Sequence, residues 1–408
     1  MSAAAPSATD FDVVIVGGGL VGASLAAALQ GSGLRAAVIE AATLGSSFQP
    51  SHNDRTVALA YGSRRILESV GVWADLERLG VTPIERIHVS HRGLFGITRL
   101  DADDLELPAL GYVVENRALG SVLWRRLERA DGIAWFCPAT VEDIVVDETG
   151  ALVSVKQADG TRVLKTRLVI GADGTHSAVR RLLEVPAERT DYAQVAVVAT
   201  VATGLPHRNT AYERFTDTGP LAALPMRDDR CAIVWSAHAD EAETMLGWDD
   251  DEFLRRLQER FGDRLGRFSQ PGARARHPLA LTRIPQQARA RVVLIGNAAH
   301  TVHPVAGQGF NLGLRDVAAL AEVLIANARE RRDVGSLEAL RGYLDWRRRD
   351  TQVTEFFTDS LVRIFSNRST LLALTRGLGL VAVDLLLPAK RRLVRITSGL
   401  AGRLPRLA

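Results

Sequence analysis

Short, wholly apolar runs punctuate this chain, and three of them end in glycine. Asp12-Val13-Val14-Ile15-Val16 leads into Gly17-Gly18-Gly19, Leu168–Ile170 into Gly171, and Val292–Ile295 into Gly296. Short β-branched runs without polar alternation predict parallel strands buried on both faces. After the first run, the Ala- and Leu-rich stretch Leu20–Gln30 predicts a helix, closed by Gly31 to Gly33. Ala36–Ile39 then predicts a second strand. A later helix is expected from near Asn311, where Leu312, Val317, Leu320, Leu324 and Ile325 recur at roughly helical spacing. The middle, about 181–276, behaves differently. Its runs, such as Gln194–Val201 and Cys231–Ser236, alternate and are separated by Pro and Gly, as antiparallel strands are.

The glycines add chemistry to this pattern. Gly17, Gly19 and Gly22 stand where a tight turn, a close approach to a pyrophosphate and close helix–strand packing each need a missing side chain. The free N–H groups at the helix start suit a phosphate. Glu40 closes the second strand 18 residues past Gly22, near the spacing of a carboxylate that accepts ribose hydroxyls. This turn implies a dinucleotide but does not separate FAD from NAD. The second turn, Gly171-Ala172-Asp173-Gly174, precedes a basic helix start at Ser177–Arg181. It reads either as a cofactor contact or as a hairpin, which Asp-Gly also favours. The third, Gly296-Asn297-Ala298-Ala299-His300, opens a loop containing Pro304, Gly307 and Gly309. That loop gathers backbone N–H groups and a helix N-terminus near one spot, which suits a flavin edge that gains negative charge on reduction. Three such turns predict one large cofactor, FAD, embraced by distant parts of the chain, and hence an enzyme. A plain NAD dehydrogenase leaves two turns unexplained. The expected fold is therefore α/β. A discontinuous Rossmann-like FAD-binding domain (1–180 and 277–335) carries an inserted, mostly antiparallel β substrate domain (181–276). C-terminal helices with a basic tail (336–408) follow.

Composition narrows the setting. The 408 residues, 47% of them hydrophobic, allow two or three domains with a sizeable core. Two cysteines, Cys137 and Cys231, give no disulfide framework and fit a reducing compartment. Residues 1–10 lack the basic and apolar regions of a signal peptide. Charge is uneven: residues 361–408 hold nine basic residues against one acid, Asp384, for a net +8, so the remainder of this +3 chain carries −5. A basic, apolar tail suits the anionic face of a membrane, although a docked C-terminal helix has the same composition. Leu371–Pro388 is apolar but short for a spanning helix and is interrupted by Arg376 and Asp384. An acidic body without stacking motifs argues against nucleic acid.

The three turns, in this order, resemble those of the class A flavoprotein monooxygenases over about 1–330. Asn53-Asp54-Arg55-Thr56-Val57-Ala58-Leu59 and His303–Asp316 are similar to the ubiquinone-biosynthesis hydroxylases within that class. Asn297, in place of the usual Asp, and the tail Asp359–Arg368 resemble the 2-polyprenyl-6-methoxyphenol hydroxylase branch. Asn297 can still accept a hydrogen bond from a ribityl hydroxyl, without the charge. The resemblance implies that NADH or NADPH reduces FAD, that O₂ adds to the ring, and that the flavin hydroperoxide hydroxylates a polyprenylated phenol. It also implies contact with other ubiquinone-biosynthesis proteins and a cytoplasmic location at the inner membrane face.

By the same resemblance, Gly17, Gly19, Gly22 and Glu40 hold the ADP half, and Arg55 and Arg117 the pyrophosphate region. Asp173 and Asn297 meet the ribityl or pyrophosphate region, Gly174 and Gly296 of the same turns are cofactor-binding, and Pro304, Gly309 and Asn311 border the isoalloxazine ring. His300 and His303 titrate near neutrality and are candidates for helping to ionise the phenol, although a structural hydrogen bond is the commoner use. No carboxylate or cysteine completes a metal set around them, so no metal is expected. Two other readings stay open: a different flavin enzyme such as a prenyl-lipid reductase, and a quiet FAD-binding scaffold. A halogenase is disfavoured because no Trp-x-Trp-x-Ile-Pro segment is present.

Overall fold

The computed structural model describes residues 9–43, 55–93, 95–301, 308–348, 352 and 384–401. At its centre is the strand Phe11–Val16, paired in parallel with Ala36–Ile39 on one side and Gly160–Gly171 on the other. Ile133–Phe136 and Val292–Leu294 extend the parallel array outward. The absence of alternation in the first run is now explained. Val13 and Ile15 enter one core while Val14 and Val16 enter the other, all at most 5% exposed. One face carries helices Leu20–Leu29, Asn116–Leu127 and Gln308–Arg329, whose Leu25, Leu123 and Leu320 are fully buried. Each such side chain contributes about 1.5–3 kcal/mol of apolar burial.

Registers align the strand ends. Val16 is opposite both Ile39 and Gly171, and Gly171 is opposite Leu294. The three glycine turns and Glu40 therefore leave the sheet at a single carboxyl edge, where open α/β sheets place their ligands.

The second sheet runs His300–Thr301, Ala275–Arg283, Glu188–Ala202, Arg230–His238, Gly219–Met226, Thr210–Thr216, Arg86–His91, Ile97–Asp101. One face packs Val197, Ile233 and Trp235 against Phe253, Leu257 and Phe261 of helix Asp250–Phe261. The other faces a cavity. The inserted domain is thus larger than 181–276. Its far edge comes from Arg86–Asp101, which the sequence boundaries put in the cofactor domain. Thr210–Thr216 joins Arg86–His91 in parallel, a long-range pairing with no local signature. At the other edge Ala275–Arg283 crosses the expected boundary and pairs with His300–Thr301, tying the third turn to this sheet.

A small third sheet, Thr56–Ala60, Gly111–Glu115 and Thr82–Ile84, sits between the two. At the C-terminus, residues 337–348 and Leu387–Thr397 are helical. Val394 of the latter is fully buried against Leu100, Ala102 and Leu110, and Lys390 pairs with Asp104 at 3.0 Å. This helix is docked.

Candidate active site

The first turn shows a division of labour among its glycines. Gly17 has φ +100°, and a Cβ there would lie 2.6 Å from the Ala172 carbonyl oxygen. A Cβ on Gly22 would collide with the Gly17 carbonyl oxygen, so helix and strand touch backbone to backbone. Gly19 differs: a Cβ there would meet nothing within 4 Å. Its missing side chain leaves space at the helix start, which has no side-chain cap and no acid in its first turn. The four orphan N–H groups of that helix end are thus available to an anion. Glu40, 8% exposed, accepts from Gly18 N at 2.7 Å through Oε2 and from Ala42 N at 2.8 Å through Oε1. These bonds fix the carboxylate at the cavity wall.

The second turn is not a hairpin. Its strand runs on into helix Ala178–Leu182, capped by Ser177. Asp173 Oδ2 accepts from Val179 N at 3.0 Å, while Oδ1 is buried and has no partner among the described residues. Asp173 lines the cavity. A buried carboxylate oxygen in want of a donor is what a ribityl hydroxyl satisfies. Arg180 Nη1 donates to the Ala298 carbonyl at 2.8 Å, joining this turn to the third.

Beneath the third turn lies a polar cluster. Asp316, fully buried, accepts from Gly296 N at 3.0 Å and His300 Nε2 at 2.7 Å through Oδ2. Its Oδ1 accepts from Arg347 Nε at 2.7 Å. Burial alone would push this carboxyl up, but His300 and Arg347, with the bonds they and Gly296 donate, hold it below the usual carboxylate range. Tyr343 is also buried there, its hydroxyl pushed well above its ordinary value by burial and then by Asp316, and it accepts from Gln287 Nε2 at 2.7 Å. His300 is 3% exposed and is not among the cavity-lining residues. Its bond to Asp316 makes it a positioning residue for the Gly296 turn, and the expected catalytic use is not carried forward. His303 and Pro304 lie outside the described residues.

The turns open into one cavity of about 2540 Å³. Gly17, Gly19, Glu40, Arg55, Arg117, Asp173, Gly174, Asn297, Gly309 and Asn311 all line it. Gly296 lies just behind, buried, at φ +58°. Asn311 uses its amide to lock the long helix to the third sheet. Its Oδ1 accepts from Ala60 N at 2.8 Å and Ser63 Oγ at 2.7 Å, and its Nδ2 donates to the Ala58 carbonyl at 2.9 Å. Arg117 is exposed, 3.6 Å from Glu115. Arg55 reaches across to the second sheet, where its Nη1 stands 3.4 Å from His277 Nε2. Burial and then Arg55 push the His277 imidazole below its ordinary value, so it is neutral at pH 7 and accepts that bond.

A family model described as an FAD binding domain matches residues 10–349. The ubiquinone hydroxylase UbiL of Rhodospirillum rubrum is 38% identical over 388 residues, 95% of this chain and 89% of the relative. The 3-demethoxyubiquinol 3-hydroxylase of Escherichia coli is 31% identical over 95% of this chain and 98% of the relative. Among solved structures, pqsL of Pseudomonas aeruginosa, described as a probable FAD-dependent monooxygenase, superposes with a TM-score of 0.75. It is 26% identical, covering 91% of this chain and 99% of that one. The chain is an FAD-dependent monooxygenase of this family.

Three features of this monooxygenase were not singled out from sequence. His277 and Glu213 both line the cavity from the second sheet. Glu213 had a signal, since Ala211, Glu213 and Phe215 share one side of a strand, with the acid in an otherwise apolar set. The Asp316–Arg347 pair had none, because residues so far apart in sequence meet only in the fold.

Proposed function

We propose that this monooxygenase hydroxylates a polyprenylated phenol in ubiquinone biosynthesis, with NADH or NADPH as reductant and O₂ as the oxygen source. The observation that carries the reading is the cavity itself. Three glycine turns meet at one end, and the apolar face of an antiparallel sheet, including Val198, Ala222, Leu224 and Val234, forms the opposite wall. The relatives named above are by name a ubiquinone hydroxylase and a 3-demethoxyubiquinol 3-hydroxylase.

Each residue then has a task. The helix start at Gly19 and the carboxylate of Glu40 hold the ADP half of FAD, with Arg55 and Arg117 toward the phosphates. Asp173 Oδ1 takes a ribityl hydroxyl, and Gly174, Gly296 and Asn297 border the same chain. Gly309 and Asn311 flank the ring. Bound FAD supplies the redox chemistry, accepting electrons from the nicotinamide and activating O₂. The apolar sheet face orients the phenol and its tail and excludes water.

A polyprenyl tail partitions into a bilayer, and the docked C-terminal helix suits a protein that works at its surface. Leu385, Leu386 and Leu387 are 76%, 58% and 48% exposed, and Arg391, Arg392 and Arg395 are exposed beside them. Leu393 and Thr397 of the same helix line the cavity. Among the described residues no helix is long and apolar enough to cross a membrane. The reading places the protein on the cytoplasmic membrane face.

Mass spectrometry of quinone-pathway lipids from cells lacking the protein tests the proposal. A prenylated phenol one hydroxyl short of the normal intermediate is the expected product. Unchanged ubiquinone with no accumulated precursor, in a strain without a second hydroxylase of this type, overturns it.

A further inference from the structure

Glu213 is an acid in an apolar wall. On its strand, Ala211, Tyr212, Glu213 and Phe215 line the cavity, and the Tyr212 ring also packs against Phe261. Its cross-strand partners are Ala222 on one side and Val89 on the other, and both also line the cavity. The neighbouring strands place Ile87 and Leu224 on the same face, so neither presents a charge there. Among the described residues, the ionisable groups of the sheet that line the cavity are Arg189, Tyr212, Arg230 and His277 besides Glu213 itself. Arg230 donates to Thr200 Oγ1 at 2.8 Å, and His277 is taken by Arg55. No hydrogen bond or ion pair reaches the Glu213 carboxylate from the described residues. Glu213 is half-buried on this wall, and its removal from bulk water pushes the carboxyl up to about 7, with no contribution from any charge.

Its place along the cavity matters as much. Ala211 packs with Ile84 and Val113, and Ala58 joins that cluster. The Ala58 carbonyl accepts from Asn311 at the head of the long helix. Glu213 is two residues beyond Ala211, about 7 Å along the strand. It lines the same cavity as Gly309 and Asn311.

We propose that Glu213 accepts the proton of the substrate's phenol hydroxyl. The O–H bond breaks, its electron pair stays on the phenol oxygen, and the proton passes to a Glu213 carboxylate oxygen. No electron is gained or lost in this step. The resulting phenolate is more electron-rich at the ring carbons ortho and para to the oxygen, which are the ones an electrophilic oxygen attacks. A base matched to neutral pH is the efficient choice, and a free phenol with a pKa of about 10 does not ionise there unaided. The inference rests on the hydroxylase reading and adds a catalytic residue to it.

The test uses full-length, FAD-loaded protein with 2-geranylphenol as the probe. Product formed is measured from about pH 5.5 to 10. In the wild type the rate is expected to rise as Glu213 ionises and to be level by about pH 8, well below the free phenol's pKa of about 10. In Glu213→Gln the rate at pH 7 should fall about 100-fold and then climb with pH toward about 10, where the phenol ionises unaided. The Kd of the Gln variant for 2-geranylphenol, read from the flavin absorbance without NAD(P)H, should be little changed, so the loss falls on kcat. Glu213→Asp should restore part of the wild-type profile. A Gln variant with the wild-type profile overturns the inference, as does a wild-type rate that rises only near pH 10. A wild type that binds the phenol and oxidises NAD(P)H but forms no hydroxylated product at any pH instead overturns the hydroxylase reading. Should the Gln variant not retain flavin, the wild-type and Asp profiles decide the matter.

Discussion

At the scale of single residues, a glycine's role is set by what its absent side chain would touch. Gly22 and Gly19 sit in one motif yet predict opposite failures. Gly22→Ala forces a methyl into the Gly17 carbonyl oxygen, so the expected outcome is loss of folded protein, seen as insoluble or early-melting material. Gly19→Val has room in the protein and none beside a pyrophosphate. It should fold, melt cooperatively and purify colourless; a yellow, fully loaded Gly19→Val protein refutes the phosphate assignment. Glu213 makes a different prediction. Its folded pKa of about 7 lies above the ordinary carboxylate value of 4.5, so the folded state binds the proton more tightly. Its contribution to stability is full below about 4.5 and is lost as pH rises through 7. Glu213→Gln escapes that loss, so its melting temperature should exceed the wild type's at pH 8, with the gap closing below pH 5. Equal melting curves at both pH values would show that the carboxylate is better solvated than its surroundings indicate.

At the scale of elements, what the sequence revealed depended on how each element is buried. Phe11–Val16 was legible because burial on both faces leaves an unbroken apolar run, and Ala36–Ile39 for the same reason. The helix expected near Asn311 spans Gln308–Arg329, with Asn311 in its first turn. Arg86–Asp101 was misplaced because its partner strand lies more than a hundred residues away and pairs in parallel. His300 illustrates the same limit within the site. Its proximity to the third turn was plain in sequence, but its direction is set by Asp316, itself held by Arg347, and these groups come together only on folding. The C-terminal helix resolves an alternative that composition left open. It is docked through Val394 and Lys390, yet keeps three leucines in solvent. Replacing Leu385, Leu386 and Leu387 together with Asn should leave flavin content intact and release the protein from vesicles containing phosphatidylglycerol. Co-sedimentation measures this, and the wild type should also detach as salt rises, since each basic residue near such a surface contributes about 1 kcal/mol. Equal sedimentation of variant and wild type argues against this helix as the contact.

At the scale of the whole molecule, function comes from convergence. Two sheets with different logic, one with a parallel buried centre, one mostly antiparallel with an apolar face on the cavity, enclose a common space, and the small third sheet is tied to the long helix by Asn311 and to the second sheet by Ala211 against Ile84 and Val113. The aligned strand ends that unite the three glycine turns carry a consequence for the life of the chain. The turns are encoded at residues 17, 171 and 296, and the clamp beneath the last of them is completed by Arg347. During synthesis, the first βαβ unit emerges early, but the cradle is whole only after most of the polypeptide has left the ribosome. If the three turns hold the flavin as proposed, its capture is a late step in biogenesis, and a chain terminated before the third turn is expected to leave the ribosome unable to keep its vitamin-derived cofactor.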